Sequence, residues 1–87
     1  MKYTFEVTGG KVNVENGLYI MGYSYSDTYP FTLDLKVGAE CANLEVNNVK
    51  NTMFYINNGT NIKYTGNFTQ TGNVAKTHYP NGTPQKK

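Results

Sequence analysis

The chain of 87 residues has no arginine, no tryptophan, one cysteine (Cys41) and one histidine (His78). Each shortage excludes something. Without arginine there is no bidentate guanidinium for a phosphate or a guanine edge. One cysteine forms neither an internal disulfide nor, with one histidine, a zinc site built from nitrogen and sulfur ligands. No apolar run approaches the ~20 residues of a membrane-spanning helix. Alanine (3 residues) and leucine (4) are scarce, so long helices lack their best formers. The opening residues Met1, Lys2, Tyr3, Thr4, Phe5 and Glu6 carry no apolar run of the secretory kind. With a lone cysteine, this gives the expectation of a reducing, cytoplasmic site of action, the host cytoplasm if the gene belongs to a phage.

What is abundant points to strands. There are 12 Asn, 11 Thr, 9 Gly and 8 Tyr. Threonine and tyrosine, with valine and phenylalanine, suit a pleated surface, and Asn and Gly supply turns. An A/T-rich coding sequence would produce the same bias toward Lys, Asn, Tyr and Phe. The length allows one domain with a modest core.

Charge is uneven along the chain. Residues 1–45 hold all six acids (Glu6, Glu15, Asp27, Asp34, Glu40, Glu45) and three lysines, for a net of −3. Residues 46–87 hold five lysines and no acid, for a net of +5. Such asymmetry hints at an anionic partner, unless the two halves interleave in one sheet.

Alternation of apolar and polar residues marks the strands. Tyr3, Phe5 and Val7 alternate with polar neighbours. Gly9-Gly10 and Asn16-Gly17 then read as hairpin turns on either side of Val12 and Val14. Residues 18–25 are apolar on both parities at their start, as in a covered central strand. Pro30 opens a strand in which Phe31, Leu33, Leu35 and Val37 face inward and Thr32, Asp34 and Lys36 outward. Residues 39–50 fit an edge strand through Leu44 and Val46, or a helix through Ala42, Val46, Val49 and Met53. Residues 53–56 form a short apolar strand, and Asn57-Asn58-Gly59-Thr60 the next turn. Ile62, Tyr64, Gly66 and Phe68 share one parity, with Gly66 marking a bulge or bend. From Gly72 the pattern fades.

The expected fold is all-β, without internal repeats: a small antiparallel meander, sandwich or barrel of six or seven short strands. The alternative is α+β with one short helix at about 39–50. Residues 1–71 are expected to form the domain, and residues 72–87 a mobile or loosely docked basic tail.

No stretch carries a catalytic or metal-binding signature. Cys41 and His78 have no third residue to orient the base. The carboxylates lack an EF-hand spacing, and Gly9-Gly10-Lys11 lacks the spacing of a phosphate loop. No catalytic residue, cofactor or metal is therefore expected. The leading expectation is a non-enzymatic domain that binds another protein through a Tyr/Asn-rich surface or a sheet edge, for example an inhibitor or accessory factor of a phage or mobile element. Tyr19, Tyr23, Tyr25, Asp27 and Tyr29 are the candidate contact residues. The alternative is a single-stranded nucleic-acid binder using Lys50, Lys63, Tyr64, Lys76, Lys86 and Lys87. A second alternative is a structural or decoration subunit that self-assembles through open sheet edges.

Overall fold

The computed structural model describes residues 2–5, 11–22, 30–36, 38–49 and 53–87, with backbone alone for 2–5 and 11–16. These residues form nine strands: β1 (Lys2–Phe5), β2 (Lys11–Gly22), β3 (Phe31–Leu35), β4 (Gly38–Asn48), β5 (Phe54–Asn57), β6 (Ile62–Tyr64), β7 (Phe68–Gly72), β8 (Thr77–His78) and β9 (Gln85–Lys86). Two short 3₁₀ turns, at Gly59–Asn61 and Val74–Lys76, are the only helical elements among the described residues. The small all-β fold expected from composition is what forms.

The strand pairing differs from the expected antiparallel pattern. Sheet A has the order β1-β3-β5-β8 and sheet B the order β2-β4-β6-β9, with β7 also on β4. Every pair is parallel. Parallel neighbours need a long return connection, usually a helix. Here the strand of the opposite sheet makes that return. The chain runs through sheet A, turns a corner, runs through sheet B, and comes back one layer further on. The result is a coil of stacked turns, a small parallel β-solenoid.

The coil has a period that the sequence hides. The register steps 23 residues from Phe31 to Phe54 and 23 more to Thr77. In sheet B it steps 26 residues from Leu18 to Leu44 and 24 to Phe68. The expected absence of repeats is therefore corrected. The repeat is structural, and the stacked positions share a direction, inward or outward, more than a residue type.

Several local expectations change with it. Asn16-Gly17 is not a hairpin; it lies inside β2, where the register with β4 shifts between Val14 and Gly17. Among the described residues of 39–50 there is no helix. They supply β4, which is a central strand, bonded to β2 on one side and to β6 and β7 on the other. Asn57-Asn58-Gly59-Thr60 is a corner between sheets rather than a hairpin turn, with Asn58 in the left-handed region at φ 59°. Gly66 does mark a bend, between β6 and β7. Residues 72–87 are built into the coil: β8 pairs with β5, β9 with β6, and Pro84 is buried. The Gly9-Gly10 turn, Val37, which was expected to face inward, and Lys50 lie outside the described residues.

The core fills the space between the two sheets. Phe31, Leu35, Phe54 and Ile56 enter from sheet A, and Ala39, Cys41, Leu44, Val46 and Ile62 from sheet B; all are buried. Leu18, Ile20, Leu33, Tyr64, Phe68 and Tyr79 pack around them. Phe54 sits edge-on to Phe31 with ring centroids 5.0 Å apart, and it reaches across to Gly22 of β2. A Cβ on Gly22 would lie 2.3 Å from the Phe54 ring. Glycine is there because the ring occupies that space.

Asn and Gly earn their abundance at the corners. The Asn43 Oδ1 accepts the Asn67 N–H at 3.1 Å, one coil later. Asn61 Nδ2 donates to Leu35 O at 3.1 Å. At the far end of sheet B, Val49 N–H donates to Gly22 O (3.1 Å) and Asn73 N–H to Asn48 O (2.9 Å). These bonds tie one coil to the next and satisfy backbone groups that would otherwise be left without partners where the chain bends or leaves a sheet. Asp34 was expected to face outward. It is buried at 7% exposure, and its Oδ1 accepts from Asn57 Nδ2 at 2.7 Å, on the neighbouring strand at the registered position.

Candidate functional site

The outer face of sheet B is built by alternation. Within β2, Leu18 and Ile20 turn toward the core, which turns Tyr19 and Met21 outward. Both are 52% exposed. The register places Tyr19 beside Glu45 and then Thr69, and Met21 beside Asn47 and then Thr71. Asn47 Nδ2 donates to the Tyr19 hydroxyl at 2.8 Å, which holds the ring against the sheet. The patch therefore combines a fixed aromatic ring, a thioether and short polar side chains on a rigid sheet. Of the expected contact residues, Tyr19 is placed here; Tyr23, Tyr25, Asp27 and Tyr29 lie outside the described residues. Met21 shares the parity of Tyr19 in the sequence; Asn47, Thr69 and Thr71 were not singled out by sequence reasoning. Their shared face depends on a register that alternation alone does not supply.

The basic residues of the alternative are distributed differently. Lys63 on β6 and Lys86 on β9 lie on neighbouring strands, and the Lys63 Nζ donates to Gln85 Oε1 at 2.7 Å. Lys87 pairs with Glu40 at 2.9 Å. Lys76 ends the 3₁₀ turn beyond β7, at the opposite end of sheet B. Tyr64 is turned inward, its ring centroid 5.7 Å from that of Phe68, so it is not a stacking platform. Because the coils stack in chain order, the charge asymmetry of the sequence does become spatial. Lys63, Lys76, Lys86 and Lys87 occupy the last two layers, and residues 54–87 contain no acid.

The end of the coil is closed by Tyr79. Its ring lies edge-on to Phe68, with centroids 6.3 Å apart. Its hydroxyl meets Gln70 Oε1 at 3.0 Å. Burial pushes the Tyr79 phenol up to about 12, because the phenolate would lose solvation there.

Cys41 and His78 belong to different sheets and different layers. Cys41 is buried on β4, its thiol donating to Lys63 O at 3.8 Å. Burial pushes that thiol up, against a smaller lowering by a backbone hydrogen bond at Leu18. His78 on β8 stacks on Tyr55, centroids 5.5 Å apart. Among the described residues no three His, Cys, Asp or Glu side chains group as metal ligands, and no helix is long and apolar enough to cross a membrane. Comparison with protein-family models, with curated proteins and with solved structures finds no match to this chain.

Proposed function

We propose that this domain acts by binding another protein through the outer face of sheet B, with Tyr19, Met21 and Asn47 as the contact centre. The observation that carries this reading is the exposure of Tyr19 and Met21 side by side at 52% each, with the Tyr19 hydroxyl fixed by Asn47. Exposed large apolar groups on a rigid strand offer contact area at small entropic cost, and Tyr and Met are enriched where proteins meet. The test is affinity capture with the wild type and with Tyr19→Ala/Met21→Ser, alongside thermal melts of both. A protein captured by the wild type and lost by the variant, at nearly unchanged melting temperature, supports the reading. Capture unaffected by the variant removes it.

The nucleic-acid alternative keeps the charge but loses the aromatic platform, since Tyr64 packs inward and Lys87 is paired with Glu40. A steep fall of oligonucleotide affinity with salt would revive it. Self-assembly by end-to-end stacking meets a C-terminal end that is blunted at β8 and β9, which leaves only the five residues of β7 as a longer edge. The last strands are two residues long, and Pro80, Pro84, Lys86 and Lys87 line that end. Short strands, prolines and lysines are what keep sheet edges from pairing.

A further inference from the structure

The last layer of sheet B is half filled. On its outer side β4 carries two strands, β6 at Ala39–Cys41 and β7 at Leu44–Asn48. β6 is covered in turn by β9, and the ladder continues with Lys87 N–H donating to Tyr64 O at 2.8 Å. Among the described residues nothing continues β7. The loop that follows β8 stacks instead over the corner at Gly59, where a Cβ would lie 2.6 Å from Gly82 O and 3.3 Å from Pro84. The result is a step beside β9 with the free edge of β7 as its floor.

The direction of each backbone group on that edge follows from bonds at its two ends. Leu44 N–H donates to Asn67 O at 2.8 Å, and Asn73 N–H donates to Asn48 O at 2.9 Å. Backbone direction alternates along a strand, so Asn67, Thr69, Thr71 and Asn73 turn toward β4. Phe68, Gln70 and Gly72 therefore turn their N–H and C=O groups to the open side. Thr69, Gln70 and Gly72 are exposed, as an uncovered edge requires. The Tyr79 ring, half-buried on Phe68 and bonded to Gln70, forms the inner wall of the step.

Charge selects what fits. The flanking lysines are Lys76 beyond one end of β7, and Lys63, Lys86 and Lys87 on the β6/β9 side. The acids nearest this end are on β4: Glu40, paired with Lys87, and Glu45, registered beside Thr69; residues 54–87 add none, so lysines outnumber acids around the step. A lysine-rich end would be repelled, and an acidic one attracted.

We propose that the free edge of β7 is a strand-acceptor site that takes an extended, acidic segment of a partner protein as a parallel strand. The segment completes the layer that β9 leaves half filled. Main-chain hydrogen bonds to Phe68, Gln70 and Gly72 give affinity, and alternate side chains rest on Tyr79. This site lies at the coil's end and its residues are separate from Tyr19, Met21 and Asn47, so it stands or falls independently of that face.

The test uses fluorescence anisotropy with a labelled peptide of alternating Thr and Val carrying Glu at both ends, and a counterpart with Lys at both ends. Gln70→Pro removes the central outward N–H without touching a bond to β4. Gln70→Ala removes only the side-chain bond to Tyr79. The expected result is binding of the Glu-ended peptide, retained within about threefold by Gln70→Ala and weakened about tenfold or more by Gln70→Pro. The Lys-ended peptide binds far more weakly. Lys86→Glu, an exposed change, weakens the Glu-ended peptide and keeps the proposal testable if the proline variant does not fold. Absence of binding by the Glu-ended peptide overturns the proposal, as does equal binding of both peptides, or indifference to both Gln70→Pro and Lys86→Glu. Binding of a single-stranded DNA oligomer in place of the peptide would overturn it too and assign this end to nucleic acid.

Discussion

Replacing Gly22 by alanine should destabilise the protein through one ring, Phe54. The added Cβ would sit 2.3, 2.6 and 2.8 Å from three carbons of that ring, where about 3.5–4.0 Å is comfortable. Phe54 is fully buried and braced by Phe31 at 5.0 Å, so it has no open side to swing into. Overpacking of this kind costs about 1–3 kcal/mol. Stiffening of the unfolded chain returns about 0.4–1 kcal/mol, which leaves a net loss of roughly 1–2 kcal/mol. At about 4–8 °C per kcal/mol for a domain of this size, melting falls by roughly 5–15 °C. Phe54→Leu alone costs on the order of 1 kcal/mol. In the double variant the smaller side chain makes room for the new methyl group. The two losses should then fall short of adding by about 1 kcal/mol or more. Urea denaturation of the four proteins, followed by circular dichroism, gives this cycle. Gly22 and Phe54 meet only if a strand of sheet B packs face to face on a strand of sheet A more than one coil later. Additivity within about 0.5 kcal/mol would refute that contact.

Three other outcomes follow from particular contacts. In an ultraviolet titration, one tyrosine should ionise late, near 12, and Tyr79→Phe should remove that phase; because the folded pKa lies above the unfolded one near 10, the stability tied to this proton is intact below pH 10 and is lost as pH rises through 12. Gly66→Ala should destabilise by about 1–3 kcal/mol in denaturant melts, since its Cβ would lie 2.6 Å from Asn43 Oδ1 and 2.8 Å from Ala42 O, the latter being backbone that cannot turn aside. Lys87→Ala should change stability by less than about 1 kcal/mol, because its 2.9 Å ion pair with Glu40 is largely exposed; a larger loss would mean that the C-terminal strand depends on that pair.

Much of the inside of this fold is legible in the sequence. Alternation correctly turns Phe31, Leu35 and Ile62 into the core, residues 54–56 and the stretch through Leu44 and Val46 are legible as strand, and Gly66 correctly marks a bend. What alternation does not carry is the direction of pairing. A parallel sheet buried on both faces shows continuous apolar runs. A coil covers each sheet on one face only, so its strands show the same period of two as an antiparallel hairpin. Asn16-Gly17 looks like a hairpin turn for the same reason; it sits at a register shift in the longest strand. Asp34 is buried, although it alternates with the core residues Leu33 and Leu35, because Asn57, 23 residues later, lands beside it with a donor. Nothing near Asp34 in sequence announces that partner. The repeat escapes notice because stacked positions change residue, as in Phe31, Phe54 and Thr77, while keeping their place. Of the candidate contact residues, Tyr19 was legible as a strand residue beside core neighbours. Asn47 and the edge of β7 become visible only once the coils are stacked.

Stacking in chain order also changes the meaning of the charge pattern. In an interleaved sheet the acidic first half and basic second half would cancel. In a coil they are spread along the axis in chain order, which places the lysines of residues 54–87 in the last two layers, beside the edge of β7 that no described residue covers.

Amide hydrogen exchange along residues 68–72, read residue by residue by NMR, probes the parallel coil and its open edge together. Thr69 and Thr71, turned toward β4, should be protected, while Phe68, Gln70 and Gly72 between them exchange at near-solvent rates. Slow exchange at Phe68, Gln70 and Gly72, or the reverse alternation, would contradict both the register of β7 on β4 and the strand-acceptor site built on it.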